Sequence, residues 1–508
     1  MEETPELKLK RAFNNIVIFF LFLAAVIVLG ASVVTTIYYD MGVDVDMPVF
    51  GKENVPLLLT LTAAVFLVFL VLHRRGLLLD HKRRLPMAAL LFCLVYCLML
   101  ILLIKPRAVN DSLLLDQAIN AFMEGDYSEL TEKGGYLYIW PFQLGYVLFG
   151  QLMYRFFGPS NYMAWDIAQL LVILITLLLL YCITYELFED REVCGIMAIL
   201  SFGILFFYNY VTYIYGDILS MAPQTLALYL MILYLKRKRI IFALGSGLSI
   251  AAAVVLKTNC EIALIALVMI LFLDIDDKKD ALRAVLLSAA MIVMVFAAKQ
   301  GVNNYFLKLT GISEIPAGSP AVSHIAMGLQ ESELEDGWYN GYNYKVFGDN
   351  GYDSKAAKEV AVKDIKASLQ RFLSDPKYAV KFFGRKFVSQ WADPVCISTH
   401  NLDLVSRHVE NQPKFAEVIV FGDGRVFLSQ VMNVFMTVCY LCVAVCLLMK
   451  LIQKDVRLPQ MLLLILILGG MVFHEFWEGS SRYAMRYYVY WLPYAAYGMN
   501  SILKKIDR

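Results

Sequence analysis

Long runs of apolar residues recur along the whole chain and are separated by shorter polar segments. A membrane-spanning helix needs about 20 mainly apolar residues, and twelve runs approach that length. The predicted spans are 14–38, 54–72, 86–104, 162–186, 193–211, 218–235, 240–256, 260–274, 284–300, 427–449, 459–474 and 486–503. The pattern predicts an all-α polytopic membrane protein with about 12 transmembrane helices, of which the pair within 240–274 could be one broken element.

The composition agrees with a lipid environment. Of 508 residues, 59% are hydrophobic and 18% charged, whereas soluble proteins carry about 25% charged residues. No basic stripe or nucleic-acid motif accompanies the net charge of +1, so we expect the lipid bilayer as a partner and no nucleic acid. The nine cysteines fall mostly inside apolar runs and form neither a disulfide framework nor a metal knuckle.

Lysine and arginine in short loops mark the cytosolic side of a membrane protein. The loops 73–85 and 236–239 are strongly basic, whereas the loop 39–53 is acidic and is expected on the outer side. The residues behind this assignment are Lys8, Lys10, Arg11, Arg74, Arg75, Lys82, Arg83, Arg84, Lys236, Arg237, Lys238, Arg239, Lys450, Lys454, Arg457, Lys504, Lys505 and Arg508. They predict a multi-pass protein of the cell membrane with both termini in the cytosol.

One apolar segment, 138–157, is long enough to span but is excluded by this charge pattern. A span there would reverse the parity of all later helices and place the basic loop 236–239 outside. The segment is rich in tyrosine and contains a tryptophan, residues that favour the membrane interface. We therefore interpret it as an interfacial or re-entrant helix on the outer face.

The chain then divides into five parts. They are three N-terminal transmembrane helices (1–104), an acidic outer loop with juxtamembrane helices (105–160), a transmembrane helical core (161–300), an extracytosolic domain (301–422) and C-terminal transmembrane helices (423–508). The extracytosolic domain is expected to be small and mainly helical. Good helix formers fill 354–373, and Pro376 suits the first turn of a second helix that ends near Trp391.

Two acidic positions on the outer side are candidates for chemistry, because ionisable groups near membrane depth are costly and usually functional. Asp111, with Asp116 close behind, starts an amphipathic helix, so it is either a helix N-cap or a general base for an incoming hydroxyl. Asp217 follows a tyrosine-rich turn and is either an ordinary loop carboxylate or a group that positions an acceptor or a divalent ion.

Basic residues near the same side could bind an anion. Lys257 interrupts an apolar run, where it either extends to the interface or binds a phosphate. Arg482 and Arg486 are four residues apart, so on a helix they share one face. They form either salt bridges with the nearby Glu475 and Glu478 or a clamp for phosphate. Together these residues predict one outward cavity with a carboxylate base and several cations.

The arrangement resembles the GT-C superfamily of integral membrane glycosyltransferases, which includes protein O-mannosyltransferases and the bacterial aminoarabinose transferase of lipid A. Asp111 stands at the position of the catalytic aspartate in the acidic first outer loop of that superfamily. The segments that carry the resemblance are Asn110-Asp111-Ser112, Gly125-Asp126-Tyr127-Ser128, Trp140-Pro141-Phe142-Gln143-Leu144-Gly145, the tyrosine-rich turn ending in Asp217, Lys257, Arg482-Tyr483, Met327-Gly328-Leu329 and Gly337-Trp338-Tyr339-Asn340-Gly341-Tyr342.

The resemblance implies a donor sugar linked to polyprenyl phosphate and an acceptor hydroxyl on a cell-envelope glycan, lipid or protein. It further implies transfer with inversion, with Asp111 as the base. Asp116, Asp217, Lys257, Glu478, Arg482 and Arg486 would bind substrate. It implies no certain cofactor, although a divalent metal ion is possible at Asp111 and Asp217.

Two departures and two alternatives accompany the resemblance. Three spans precede the acidic loop where one is usual, so 14–72 forms two additional helices, and Tyr138-Ile139-Trp140-Pro141 replaces a Lys-Pro-Pro element. A lipid or polysaccharide transporter or flippase would predict paired broken helices and inverted halves, which the sequence lacks. A polysaccharide polymerase or ligase would predict a histidine-rich outer loop, but only His324, His400 and His408 lie in 301–422.

Overall fold

A computed structural model describes residues 5–79, 83–409, 413–453 and 456–507. Lys82, Lys454 and Arg508, which entered the predicted orientation, lie outside the described residues, as does the side chain of Lys8. The first third of the chain forms α1 (Pro5–Val34), β1 (Thr35–Tyr39), β2 (Pro48–Lys52), α2 (Val55–Arg74), α3 (Arg84–Ile104), α4 (Asn110–Glu124), α5 (Ser128–Thr131), α6 (Tyr136–Ile139) and α7 (Leu144–Phe157).

The middle and the end of the chain are mainly helical. They form α8 (Tyr162–Phe188), α9 (Arg191–Leu200), α10 (Leu205–Asn209), α11 (Gly216–Leu219), α12 (Met221–Arg237), α13 (Ile240–Leu256), α14 (Glu261–Leu273), α15 (Lys278–Thr310), α16 (Ala321–Gly328), α17 (Tyr342–Asp349), α18 (Ser354–Ser374), α19 (Pro376–Trp391), α20 (Ser398–Ser406), α21 (Lys414–Ala416), α22 (Asp423–Gln453), α23 (Leu458–Phe476) and α24 (Ser481–Ile506). Short 3₁₀ turns join several of them, at Pro141–Gln143, Ser201–Gly203, Tyr210–Thr212 and Thr258–Cys260, and Glu417–Phe421 is a π-helical turn.

Eight helices among the described residues are long and apolar enough to cross a membrane. They are Leu9–Val34, Val55–Arg74, Arg84–Ile104, Tyr162–Phe188, Gly216–Arg237, Lys278–Thr310, Gly424–Gln453 and Leu458–Phe476. The all-α polytopic class is therefore confirmed, but the count of about 12 spans is not.

Four of the predicted spans account for the difference. The run 193–211 is a pair of helices bent by 56°, which would make a ninth span if counted as one. The runs 240–256 and 260–274 form two shorter apolar helices. The run 486–503 lies in α24, where many tyrosines lower the hydropathy although the helix is largely buried in the bundle.

The apolar segment 138–157 is broken into α6, a 3₁₀ turn and α7. Helix α7 has 14 residues, so at 1.5 Å per residue it is about 21 Å long, shorter than the ~30 Å hydrocarbon core of a bilayer. It packs against α4, α13 and α15. Its length accords with an interfacial or re-entrant helix, and its place in the membrane stays a prediction.

Basic loops that are distant in sequence meet at one end of the bundle, which we call the basic end. Their ion pairs are Lys10–Asp276, Arg74–Asp507, Lys236–Glu189, Lys238–Asp274, Arg457–Glu189 and Lys504–Asp190. Most are partly exposed and each contributes about 1 kcal/mol or less. These ion pairs show that the first and last helices and the positively charged loops lie at the same end of the bundle.

The opposite end is covered by α16–α20, and we call it the capped end. The predicted helices at 354–373 and 376–391 correspond to α18 and α19, with Asp375 accepting a hydrogen bond from the backbone N–H of Tyr378. Helix α15 continues to Thr310, beyond the predicted boundary at 300. Buried Lys386 on α19 donates to the carbonyl oxygens of Gly328 and Trp477 at 2.6 and 2.7 Å, which ties the cap to the end of α23.

Candidate functional site

Two glycines allow helices to approach the end of α13 closely. A Cβ added to Gly216, the first residue of α11, would lie 2.5 Å from the carbonyl oxygen of Leu256. A Cβ on Gly145, in α7, would lie 2.0 Å from the carbonyl oxygen of Val255. Because only glycine permits such contacts, α7 and α11 both lie against the residues that precede Lys257.

This approach places Asp217 beside Lys257 at the capped end. The ammonium Nζ of Lys257 lies 3.2 Å from Oδ2 of Asp217, and both side chains are largely buried. The same ammonium is 4.3 Å from the centre of the Tyr215 ring, a distance at which a cation is attracted to an aromatic face. The two opposite charges are removed from solvent together and neutralise each other. Asp217 and Lys257 therefore form one ion-paired unit.

Arg486 contacts the segment that carries Asp217. Its guanidinium is buried and donates to Oε1 of Gln224 at 2.6 Å, to the hydroxyl of Ser220 at 2.9 Å and to the carbonyl oxygen of Asp217 at 3.3 Å. It also lies 3.1 Å from Sγ of Cys260. Its donors are therefore directed at protein groups, and binding phosphate through them would require some of these bonds to exchange.

Arg482, one turn earlier on α24, has a different environment. One nitrogen donates to the hydroxyl of Tyr213 at 3.1 Å, while the buried Nε has no hydrogen-bond partner among the described residues. The guanidinium lies 5.4–5.8 Å from the rings of Tyr213, Tyr215 and Tyr483. The four-residue spacing predicted that both arginines lie on one face of a helix. In the structure, Arg482 keeps one N–H donor without a partner among the described residues.

Asp111 is the second residue of α4, and it is not the N-cap. Val109 occupies the N-cap position, and the hydroxyl of Ser112 accepts from the backbone N–H of Val109 at 2.9 Å and donates to its carbonyl oxygen at 2.7 Å. Within the described ranges, no hydrogen bond or ion pair involves the Asp111 carboxylate. The N-cap interpretation is therefore wrong, and the carboxylate is free for another role.

The surroundings of Asp111 set its proton affinity. Burial raises the pKa of Asp111 above the ordinary value, the positive charge of Arg482 opposes the rise, and Glu478 adds to it. Lys257 lowers the same pKa. Groups from separate parts of the chain, around Lys257 and at 478–482, therefore act on one carboxylate at the capped end.

Asp116 and Glu478 have distinct partners. The Asp116 carboxylate accepts from the hydroxyls of Ser160 and Tyr162 at 2.7 and 2.9 Å, which fixes α4 against the start of α8. Glu478 accepts from the hydroxyl of Tyr483 at 3.2 Å, and its other oxygen lies 3.7 Å from Nδ1 of His324. Glu478 thus belongs to the group around Asp111, whereas Asp116 holds the helix that carries it.

Sequence reasoning missed several groups in this region. Tyr215 accepts a hydrogen bond from Gln143 at 2.6 Å, which joins the juxtamembrane segment to the Asp217 turn. His324 stacks on Trp477 at 4.8 Å beside Glu478. The acidic loop 39–53 had served only to assign orientation, yet its Asp46 is among the charges that raise the pKa of Asp111. The repeated tyrosines before Asp217 were the available signal for the first group.

The described residues contain no cluster of three or more His, Cys, Asp or Glu side chains that could hold a metal ion. Asp217 is paired with Lys257. Asp111 and Asp217 do not form such a cluster. Metal dependence stays a prediction.

The fold and site define a polytopic membrane protein with a free carboxylate opposite buried cations. Part of the chain is also similar to a known enzyme family. Residues 144–304, about a third of the chain, match the family described as dolichyl-phosphate-mannose-protein mannosyltransferase. The match agrees with the resemblance to the GT-C superfamily over that segment of the chain.

Similarity to other known proteins is remote. One solved structure, the archaeal oligosaccharyltransferase AglB from Archaeoglobus fulgidus in complex with an inhibitory peptide and a dolichol-phosphate, aligns with 14% identity and a TM-score of 0.42. The alignment covers 84% of this chain and 51% of that one, so this chain spans about half the length of AglB. No curated protein sequence matches this chain.

Proposed function

We propose that the chain transfers a sugar from a polyprenyl-phosphate donor to an acceptor hydroxyl on the extracytosolic face, with inversion at the anomeric carbon. The observation that carries this proposal is the Asp111 carboxylate, which has no bonded partner among the described residues and lies within the electrostatic reach of Arg482 and Lys257. A base must keep its oxygen free until the acceptor arrives. The acceptor would be a glycan, lipid or protein of the cell envelope.

The reaction needs one carboxylate. Asp111 accepts the proton of the acceptor hydroxyl while the hydroxyl oxygen attacks the anomeric carbon, and the bond from that carbon to the phosphate oxygen breaks. Polyprenyl phosphate leaves with the bonding electron pair, and because phosphate is a competent leaving group, no general acid is required. Glycoside hydrolases, by contrast, use two carboxylates. The raised pKa of Asp111 makes it a better base than an exposed aspartate, provided that it is ionised at the working pH.

The cations would stabilise the charge that develops on the leaving phosphate. Arg482 is the leading candidate for direct contact because it has free donor capacity. Lys257 would approach the phosphate from the Asp217 side, while Arg486 keeps Asp217 and the α11 turn in place. Asp116 would keep α4 in register, and Glu478 would bind substrate hydroxyls near Asp111.

The two ends of the bundle support the proposed orientation. With the basic end in the cytosol, as positively charged loops favour, both termini are cytosolic and the capped end faces outward. Asp111, Asp217, Lys257 and Arg482 then share the extracytosolic side. The lipid tail of the donor would lie in the bilayer between helices while its phosphate reaches this group.

The test uses purified protein in liposomes with dolichyl-phosphate mannose and a panel of hydroxyl acceptors comprising a Ser/Thr peptide, an alkyl glycoside and a glycolipid. Asp111→Asn should lower the transfer rate by about 10²–10⁴-fold, the usual contribution of a general base. Its thermal unfolding should change little, because the carboxylate makes no hydrogen bond among the described residues. Glu124→Gln, an exposed carboxylate on the same helix, is the matched control.

Full transfer by Asp111→Asn would refute the base assignment. Donor translocation without any turnover by the wild type would instead favour the flippase alternative.

A further inference from the structure

The hairpin between the first two spans is fastened to the capped end by contacts from distant parts of the chain. Strands β1 and β2 pair antiparallel from Thr35–Lys52 to Tyr39–Pro48, and we call residues 35–52 the strap. The hydroxyl of Tyr39 donates to Oδ2 of Asp393 at 2.8 Å and lies 3.0 Å from the hydroxyl of Ser481. Ser481 immediately precedes Arg482, so the strap reaches the helix end that carries this arginine.

The tip of the strap is held by α20 and the residue that follows it. The backbone N–H of Gly42 donates to Oδ2 of Asp403 at 3.0 Å. Arg407, itself paired with Asp403, donates to the carbonyl oxygen of Val43 and forms an ion pair with Asp44. These hydrogen bonds and ion pairs fix the loop in one position. A loop that only connects two helices would not need them.

Asp46 lies on this fixed loop, two residues after Asp44. Its Oδ1 lies 3.4 Å from Nε2 of His400, whose ring is fully buried and stacks on the ring of Tyr39. Its side chain is 35% exposed, so the carboxylate is not enclosed by the protein. Among the described residues it accepts no hydrogen bond, and its negative charge acts on Asp111.

We propose that Asp46 binds hydroxyl groups of a sugar held at Asp111, with His400 as its positioning residue. An ionised carboxylate only accepts hydrogen bonds, and sugar hydroxyls are the donors that a glycosyltransferase brings to this place. The proposal rests on the proposed function and gives the two additional N-terminal helices a task. They carry the strap and deliver Asp46 to the site.

Two sources of such hydroxyls exist, the donor sugar and a glycan acceptor. In the first arm, hydrolysis of dolichyl-phosphate mannose by water is measured without acceptor; in the second, transfer to an alkyl mannoside is measured at saturating donor. Asp46→Ala should raise KM about tenfold for one of the two, as expected for a lost hydrogen bond to a charged group, while kcat changes less. The arm that responds identifies the source.

Asp44→Ala is the matched control, because Asp44 lies on the same strap and is 82% exposed, and Arg407 still holds the loop through Val43 and Asp403. It should leave both KM values within twofold of the wild type. His400→Gln, acting through Asp46, should raise the same KM as Asp46→Ala and add nothing to it in the double variant. Unchanged KM values in both arms for Asp46→Ala, with active wild-type protein, would overturn the proposal.

A further measurement does not depend on turnover. Asp46→Cys and Asp44→Cys are labelled with a membrane-impermeant maleimide with and without dolichyl-phosphate mannose. At least fivefold protection of Cys at position 46, with none at position 44, is expected. Equal labelling of both positions in the presence of donor and alkyl mannoside would overturn the proposal, whereas loss of transfer in every variant including the wild type would instead refute the proposed function.

Discussion

Gly216→Ala should disturb the site without replacing any ionisable residue. The new Cβ would lie 2.5 Å from the carbonyl oxygen of Leu256, whereas ordinary contacts begin at 3.4 Å. Helix α11 must therefore retreat from the end of α13 by about 0.9 Å, an overpacking strain of about 1–3 kcal/mol. Asp217 moves with α11, whereas Lys257 belongs to the end of α13.

The weakened ion pair between Asp217 and Lys257 adds to the destabilisation. If the separation of Asp217 and Lys257 grows from 3.2 Å to about 4.1 Å, the attraction at an effective dielectric constant near 20 falls by about 1 kcal/mol. We therefore expect a total destabilisation of about 2–4 kcal/mol. The transfer rate should also fall, by about tenfold or more, because Lys257 loses the close Asp217 contact that positions its ammonium for the leaving phosphate.

The measurement is thermal unfolding of the purified protein in detergent, combined with the transfer assay. Gly301→Ala is the control, because Gly301 lies in α15 with no heavy atom within 4 Å of an added Cβ, and alanine favours a helix by about 1 kcal/mol over glycine. Gly216→Ala should unfold several degrees below the wild type and Gly301→Ala should not. An equal unfolding midpoint and equal transfer rates for the two variants would refute the reasoning.

Two further predictions concern Glu478 and Lys386. Glu478→Gln removes a negative charge that raises the pKa of Asp111, so the acidic limb of kcat/KM against pH should move to lower pH; a limb that stays or moves upward would contradict the coupling. Lys386→Met leaves the buried carbonyl oxygens of Gly328 and Trp477 without their donor, and each orphaned group costs about 1–3 kcal/mol. Unfolding should therefore occur at a clearly lower temperature, whereas Lys381→Met, exposed on the same helix, should stay within about 0.5 kcal/mol of the wild type; equal stability of the two lysine variants would contradict the tie between cap and bundle.

The sequence predicted helix boundaries correctly where capping residues or proline mark the end of a helix. The helix predicted at 354–373 is Ser354–Ser374, and the next one begins at Pro376 as expected, because capping side chains and proline act within one turn. Most long apolar runs became span-length helices for a similar reason, since a backbone in lipid must bond to itself. The count of spans was less certain because the bend between α9 and α10 and the tyrosine-rich α24 depend on neighbouring helices.

The roles within the site were decided only by tertiary structure. Sequence spacing treated Arg482 and Arg486 alike, but the groups that occupy Arg486 come from α11, α12 and the turn before α14. Ser112 and not Asp111 serves the start of α4, which leaves the carboxylate free. Asp46 meets His400 across more than 350 residues of chain. Charge pattern and periodicity determined which residues could carry chemistry; which of them keep an oxygen or a nitrogen free depends on partners that only the folded chain brings together.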